Sequence, residues 1–133
     1  IDQNPDFLLL NKQKEQWLKT DIHSYSYRYY SPGWAHQEVI VKVEKGKVVS
    51  IVEKEGTKER FYDSYYLIES LFDSIEKNYH LIGSNPESDI KGVSVVYHSQ
   101  YGFPQKVGYR FRDEPGKTSD GNSGFQILDF QKN

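Results

Sequence analysis

The chain reads as an α+β domain: two tandem α-β-β-β units form an antiparallel sheet with both helices packed on one face. Three observations predict this. Two stretches place apolar residues at helical spacing. Several others alternate apolar and polar residues strictly, as half-buried strands do. The order helix, strand, strand, strand then occurs twice, at about 5–54 and 63–131, within a single domain spanning 1–133.

Asn4-Pro5 starts the first helix, since Asn caps and Pro fits the first helical position. Phe7, Leu10, Lys14, Trp17 and Leu18 form its inward stripe, and the helix is expected to run from Pro5 to Lys19. In Ile22–Tyr30, Tyr25, Tyr27 and Tyr29 share one face of a strand. Ser31-Pro32-Gly33 is a turn. Val39, Val41 and Val43 point inward from a second strand over His36–Glu44, and Lys45-Gly46 reverses the chain into a third over Lys47–Lys54.

The second helix follows Asp63 or Ser64 as cap. Ile68, Leu71, Phe72, Ile75 and Tyr79 form its stripe, and Gly83 with Asn85-Pro86 is expected to lie past its end. The hairpin Val93–Arg112 comes next. Its inward residues are Val93, Val95 and Tyr97, then Val107, Tyr109 and Phe111. Gly102 supplies a positive φ at its turn, Phe103 closes the core, and Pro104 begins a strand because it lacks the ladder donor. A polar loop from Asp113 to Asn122 leads to a last strand near Gly124–Gln131. Aligning Asp21 with Asp89 without gaps matches Ile22/Ile90, Ser26/Ser94, Tyr29/Tyr97, Ser31/Ser99, Gln37/Gln105 and Val39/Val107. That is the pattern of an internal repeat, or of two similar strand patterns reached independently.

Composition narrows the function. The 133 residues have a formal net charge of -2, which gives no reason to expect nucleic acid. With no cysteine, disulfides, thiolate metal sites and a cysteine nucleophile are excluded. No apolar run approaches the roughly 20 residues that span a bilayer. The first residue is Ile1 and the chain has no methionine, which fits either removal of a leader or trimming. Eleven tyrosines mark a tyrosine-rich sheet in preference to a dedicated aromatic binding surface.

No catalytic or metal-binding constellation stands out, and no cofactor is expected. His23, His36, His80 and His98 lack paired metal spacing. Gly116-Lys117-Thr118 lacks the upstream glycine of a phosphate loop, position 111 being Phe. Ser24, Ser26, Arg28, Tyr30, Lys42, Ser94, His98, Lys106, Arg110 and Arg112 are expected on the solvated sheet face, which would be polar and basic. Within and beside it, Arg28, Tyr30, Trp34, His98, Tyr101, Arg110 and Arg112 are the candidate binding residues. Trp34 and Tyr101 occupy corresponding turns. The bland alternative for His98 is a turn residue, and for the turn aromatics a fold back onto the sheet edge.

Trp17, Tyr25 with Tyr27, Gly46-Lys47-Val48, Leu71-Phe72 with Ile75, Val95 with Tyr97, and Gly102-Phe103-Pro104 together resemble a bacterial domain family of unknown function found in small lipoproteins and secreted proteins. Two departures are evident. Many members carry cysteines after the first strand, and the usual Asp after the tyrosine matched by Tyr97 is His98 here. The resemblance implies an extracytoplasmic location and a lipidated cysteine upstream of Ile1, which would be the only link to a membrane. It implies no known activity. The layout is also similar to that of secreted β-lactamase inhibitor proteins, as an analogy of layout alone.

The expected function is therefore a non-catalytic extracytoplasmic module that binds a protein or cell-envelope component through its open sheet face. The residues leave its oligomeric state open. Two alternatives stand beside this. One is a small hydrolase-type enzyme with His98, near Asp89 or Asp113, as its base. The other is a small-ligand carrier with a tyrosine-lined cleft between helices and sheet.

Overall fold

The computed structural model describes residues 4–32, 37–53, 64–84, 90–111 and 124–133. Helix α1 covers Pro5–Lys19. The Asn4 side-chain oxygen accepts from the Asp6 amide at 2.8 Å, and Pro5 holds the first helical position. Phe7, Leu10 and Trp17 are buried. Leu18, expected beside them, is 53% exposed. Consecutive helical residues point about 100° apart, and Trp17 takes the direction of the sheet. Lys14 reaches helix α2 (Ile68–Ser84), where its ammonium meets Asp73 at 2.8 Å.

Strands β1 (Tyr25–Ser31), β2 (Gln37–Glu44) and β3 (Lys47–Glu53) form the first meander. Lys45 and Gly46 both have positive φ, which matches the right-handed strand twist at a two-residue turn. A 3-10 turn, Ser64–Tyr66, leads into α2. The hydroxyl of Tyr25 accepts from the Ile68 amide at 3.0 Å, so β1 satisfies the first amide of α2. The helix continues through Gly83, which was expected just beyond it. The predicted cap Asp63 lies outside the described residues.

Strands β4 (Ile90–Tyr97), β5 (Pro104–Phe111) and β6 (Gly124–Lys132) complete the sheet. Pro104 opens β5, and Phe103 is buried. Gly102 has φ +84, and a Cβ there would come within 2.9 Å of the Gln13 carbonyl oxygen of α1. The turn therefore needs glycine both for its backbone and for its approach to the helix.

All neighbours are antiparallel, in the order β3-β2-β1-β6-β5-β4. Both helices bury their stripes against the same face, on which Tyr25, Tyr27, Tyr29, Val39, Val41, Ile51, Val107 and Ile127 form one core. The expected α+β sheet with its helices on one side is what the chain forms.

The two units differ in hand. Each crosses the sheet in the same sense, β1 to β3 and β4 to β6, with its helix on the same face, yet β1 and β4 run in opposite directions. Reversing one of these three directions inverts the hand, so no rotation superposes the units. Register differs as well. Tyr25 pairs with Val43, whereas its counterpart Val93 pairs with Tyr109 and not Phe111. A two-residue displacement keeps each side chain on its face but changes its partner. The ungapped sequence correspondence thus does not extend to three dimensions.

Candidate functional site

The second face of the sheet carries no described helix. Its residues follow from strand alternation: Ser26, Arg28 and Tyr30 from β1; Glu38, Ile40 and Lys42 from β2; Gln126 and Leu128 from β6; Lys106, Gly108 and Arg110 from β5; Gly92, Ser94 and Val96 from β4. Pairing sets them in rows. Arg28 lies between Ile40 and Leu128, and Tyr30 between Glu38 and Gln126. Gln126 continues to Lys106, which pairs with Val96.

Arg28 is at the centre. Its Nη1 donates to Glu38, and its Nε donates to Asp129 at 3.0 Å. The bond to Glu38 and then that to Asp129 hold the guanidinium pKa above its ordinary value. The face was expected to be basic; at its centre the cation is paired by two carboxylates. Asp129 arrives there through a β-bulge. Strict alternation after Phe125 and Ile127 would turn residue 129 inward. A positive φ at Asp129 and the register shift against β1 present its carboxylate to Arg28, while Phe130 packs against the core instead.

Apolar residues also occupy this face. Ile40 is 46% exposed and Val96 56% exposed. Near β4 the surface dips where Gly108 pairs with both Ser94 and Gly124. Arg110 lies along one side of the dip and donates from Nη2 to the Lys91 carbonyl at 3.1 Å. A Cβ on Gly92 would approach its Nε to 3.0 Å, so the missing side chain makes room for the guanidinium.

His98, expected on this face, belongs to the turn beyond β4. Its ring stacks on Tyr101 at 5.2 Å and on Phe103 at 4.6 Å. Its Nδ1 accepts from the Gln100 and Tyr101 amides at 3.2 and 3.1 Å, which assigns the ring proton to Nε2. Burial lowers its pKa from the ordinary 6.5. Such a ring caps a turn while neutral. Ile90 and its partner Phe111 lie at the far end of β4 from Tyr97, roughly 23 Å away at strand rise. Asp89 and Asp113 are themselves outside the described residues. The geometry therefore gives His98 no described carboxylate partner for general-base work.

The tyrosines expected to line a cleft are packed. Tyr27 donates its hydroxyl to the Tyr66 carbonyl at 2.5 Å, and the rings of Tyr29 and Phe125 stack at 5.2 Å. Tyr101 leans on Phe130 at 5.6 Å.

Of the seven predicted site residues, Arg28, Tyr30 and Arg110 share the open face. His98 and Tyr101 sit together at one end of the sheet, against the core. Trp34 and Arg112 lie outside the described residues. Sequence reasoning missed Glu38 and Ile40, although their alternation with Val39 and Val41 assigns them to the open face. Asp129 carried no such signal, because its bulge breaks the alternation. No helix in the described residues is long and apolar enough to cross a membrane.

Residues 9–132 match the model of a Family of unknown function (DUF6174). No curated protein and no solved structure matches the chain. Since the match takes in both described helices and all six described strands, apart from the first turn of α1, the chain belongs to this family of unknown function.

Proposed function

We propose that the protein is a non-catalytic binding module, acting outside the cytoplasm, that takes a protein or cell-envelope partner on its open sheet face. The observation that carries this reading is the make-up of that face. A paired arginine fixes its centre, exposed Ile40 and Val96 sit beside polar groups, and no described helix covers it. Single aliphatic side chains set among polar groups are the mixture that a non-obligate protein interface carries. The extracytoplasmic setting rests on the family resemblance.

A hydrolase centred on His98 is the weaker reading, since the imidazole already serves two turn amides. The test is capture from an envelope extract with the wild type, an Ile40→Glu/Lys106→Glu variant, and a Leu18→Glu variant on the outer side of α1. Folding of each is checked by circular dichroism. The reading expects a captured component that is lost with the open-face variant and kept with Leu18→Glu. Equal capture by both folded variants, or no component captured by the wild type, would overturn it.

A further inference from the structure

The two edges of the sheet are built differently. The β3 edge is interrupted by a bulge, bears Lys47 and Glu53 at its ends, and has the Ser64–Tyr66 turn packed against it. Its inward Ile51 is fully buried. These are the devices by which sheets prevent further pairing. Among the described residues the β4 edge has fewer of them between its two ends, where its register shifts lie. Lys91 is its one charged residue, and it contains no proline. Val93 and Val95 face the helices yet remain half-buried, whereas Val41 and Val107 on interior strands are 0% and 2% exposed.

Register shifts fall at both ends of β4, between Ile90 and Gly92 and between Val96 and Tyr97. They bracket a regular segment, Gly92–Val96, with Ser94 at its midpoint. An antiparallel partner strand that uses the whole segment must centre on Ser94. The segment suits a second copy of itself. A two-fold axis at Ser94 sets Val93 opposite Val95 on the helix side, where both have area left to bury. On the open side it sets Val96, 56% exposed, opposite the bare backbone of Gly92. Within Gly92–Val96 no charged residue occurs, so no like charges are opposed.

We propose that the β4 edge is a self-association site through which two copies of this chain pair antiparallel about Ser94, joining two six-stranded sheets into one. The pairing is independent of any partner on the open face. So short a pairing is a small interface, and the dimer is expected to be weak, with Kd in the range of about 10 μM to 1 mM.

Sedimentation equilibrium across that concentration range tests it, with three samples beside the wild type: Ser94→Lys, Ser94→Glu, and their equimolar mixture. Ser94 is exposed, and circular dichroism verifies that the variants fold. The wild type should show a monomer–dimer equilibrium. Each variant alone opposes two like charges at the axis and should dimerise about fivefold more weakly, while the mixture opposes unlike charges and should recover the wild-type affinity or exceed it. A wild type that stays monomeric at about 1 mM overturns the proposal. So does a dimer indifferent to both substitutions, which would place the contact elsewhere, and so does a mixture no tighter than its components, which would exclude the axis at Ser94.

Discussion

Three tyrosines of β1 should make the protein sensitive to alkali. Tyr25, Tyr27 and Tyr29 are buried, and burial is the largest cause raising each hydroxyl above the ordinary 10.0. Tyr27 also donates to the Tyr66 carbonyl, a bond that a tyrosinate cannot make. In the unfolded chain all three ionise near pH 10. Above that pH the folded state holds more protons than the unfolded state. The contribution of these groups is thus fully present below pH 10 and is lost as pH rises. Each pH unit costs about 1.4 kcal/mol per tyrosine while the folded hydroxyl stays neutral. Three tyrosines cost about 4 kcal/mol at pH 11 and about 8 kcal/mol at pH 12. Where the stability lies at the lower end of the usual range, about 5–8 kcal/mol, cooperative unfolding is expected between about pH 11 and 12, and a more stable fold would unfold at still higher pH. Tyrosinate absorbance and circular dichroism, followed together, check this. Exposed tyrosines should titrate gradually, and the buried set should ionise in step with loss of the sheet. One smooth titration near pH 10, with the circular dichroism intact, would refute the reasoning.

Gly102→Ala should lower stability by about 2–3 kcal/mol, combining a left-handed backbone with the approach to Gln13, whereas Gly46→Ala, with nothing within 4 Å of its Cβ, should cost only about 1 kcal/mol. Urea unfolding of both variants separates the two contributions, and equal losses would mean that the approach to α1 does not matter. For His98, ring chemical shifts followed against pH should give a midpoint below the ordinary 6.5. Protonation would remove Nδ1 as an acceptor for the Gln100 and Tyr101 amides, so this part of the stability is present above 6.5 and is lost as pH falls. A midpoint at or above 6.5 would contradict the capping role.

Much of the architecture was legible because it is local. Asn4-Pro5, the tyrosine and valine alternations, Lys45-Gly46 and Gly102-Phe103-Pro104 each depend on neighbouring residues, and each formed the expected cap, strand or turn. The neighbour of β1 was not legible, since the choice of β6 depends on pairing across most of the chain. The opposite hands of the two units follow from that choice. Leu18 looked buried because it adjoins Trp17 in sequence, although a helix separates them by direction. The candidate site was half legible: alternation placed Arg28 and Arg110 on the open face, but the partners of Arg28 come from two other strands. His98 was misplaced because β4 ends at Tyr97, so the alternation extrapolated to His98 stops one residue short of it and the chain enters the turn there.

Strand β6 is made after every other strand, yet it belongs in the middle of the sheet. Until it emerges from the ribosome, the β1–β2–β3 meander and the β4–β5 hairpin have no hydrogen bonds to each other and present two open edges, β1 and β5, that are destined for the same strand. Completion of the sheet is therefore a late, long-range event, of the kind that slows folding and exposes a nascent chain to wrong pairing. Loss of β6 alone would not trim an edge but divide the sheet into a three-stranded meander and a two-stranded hairpin, and a hairpin by itself is marginally stable at best.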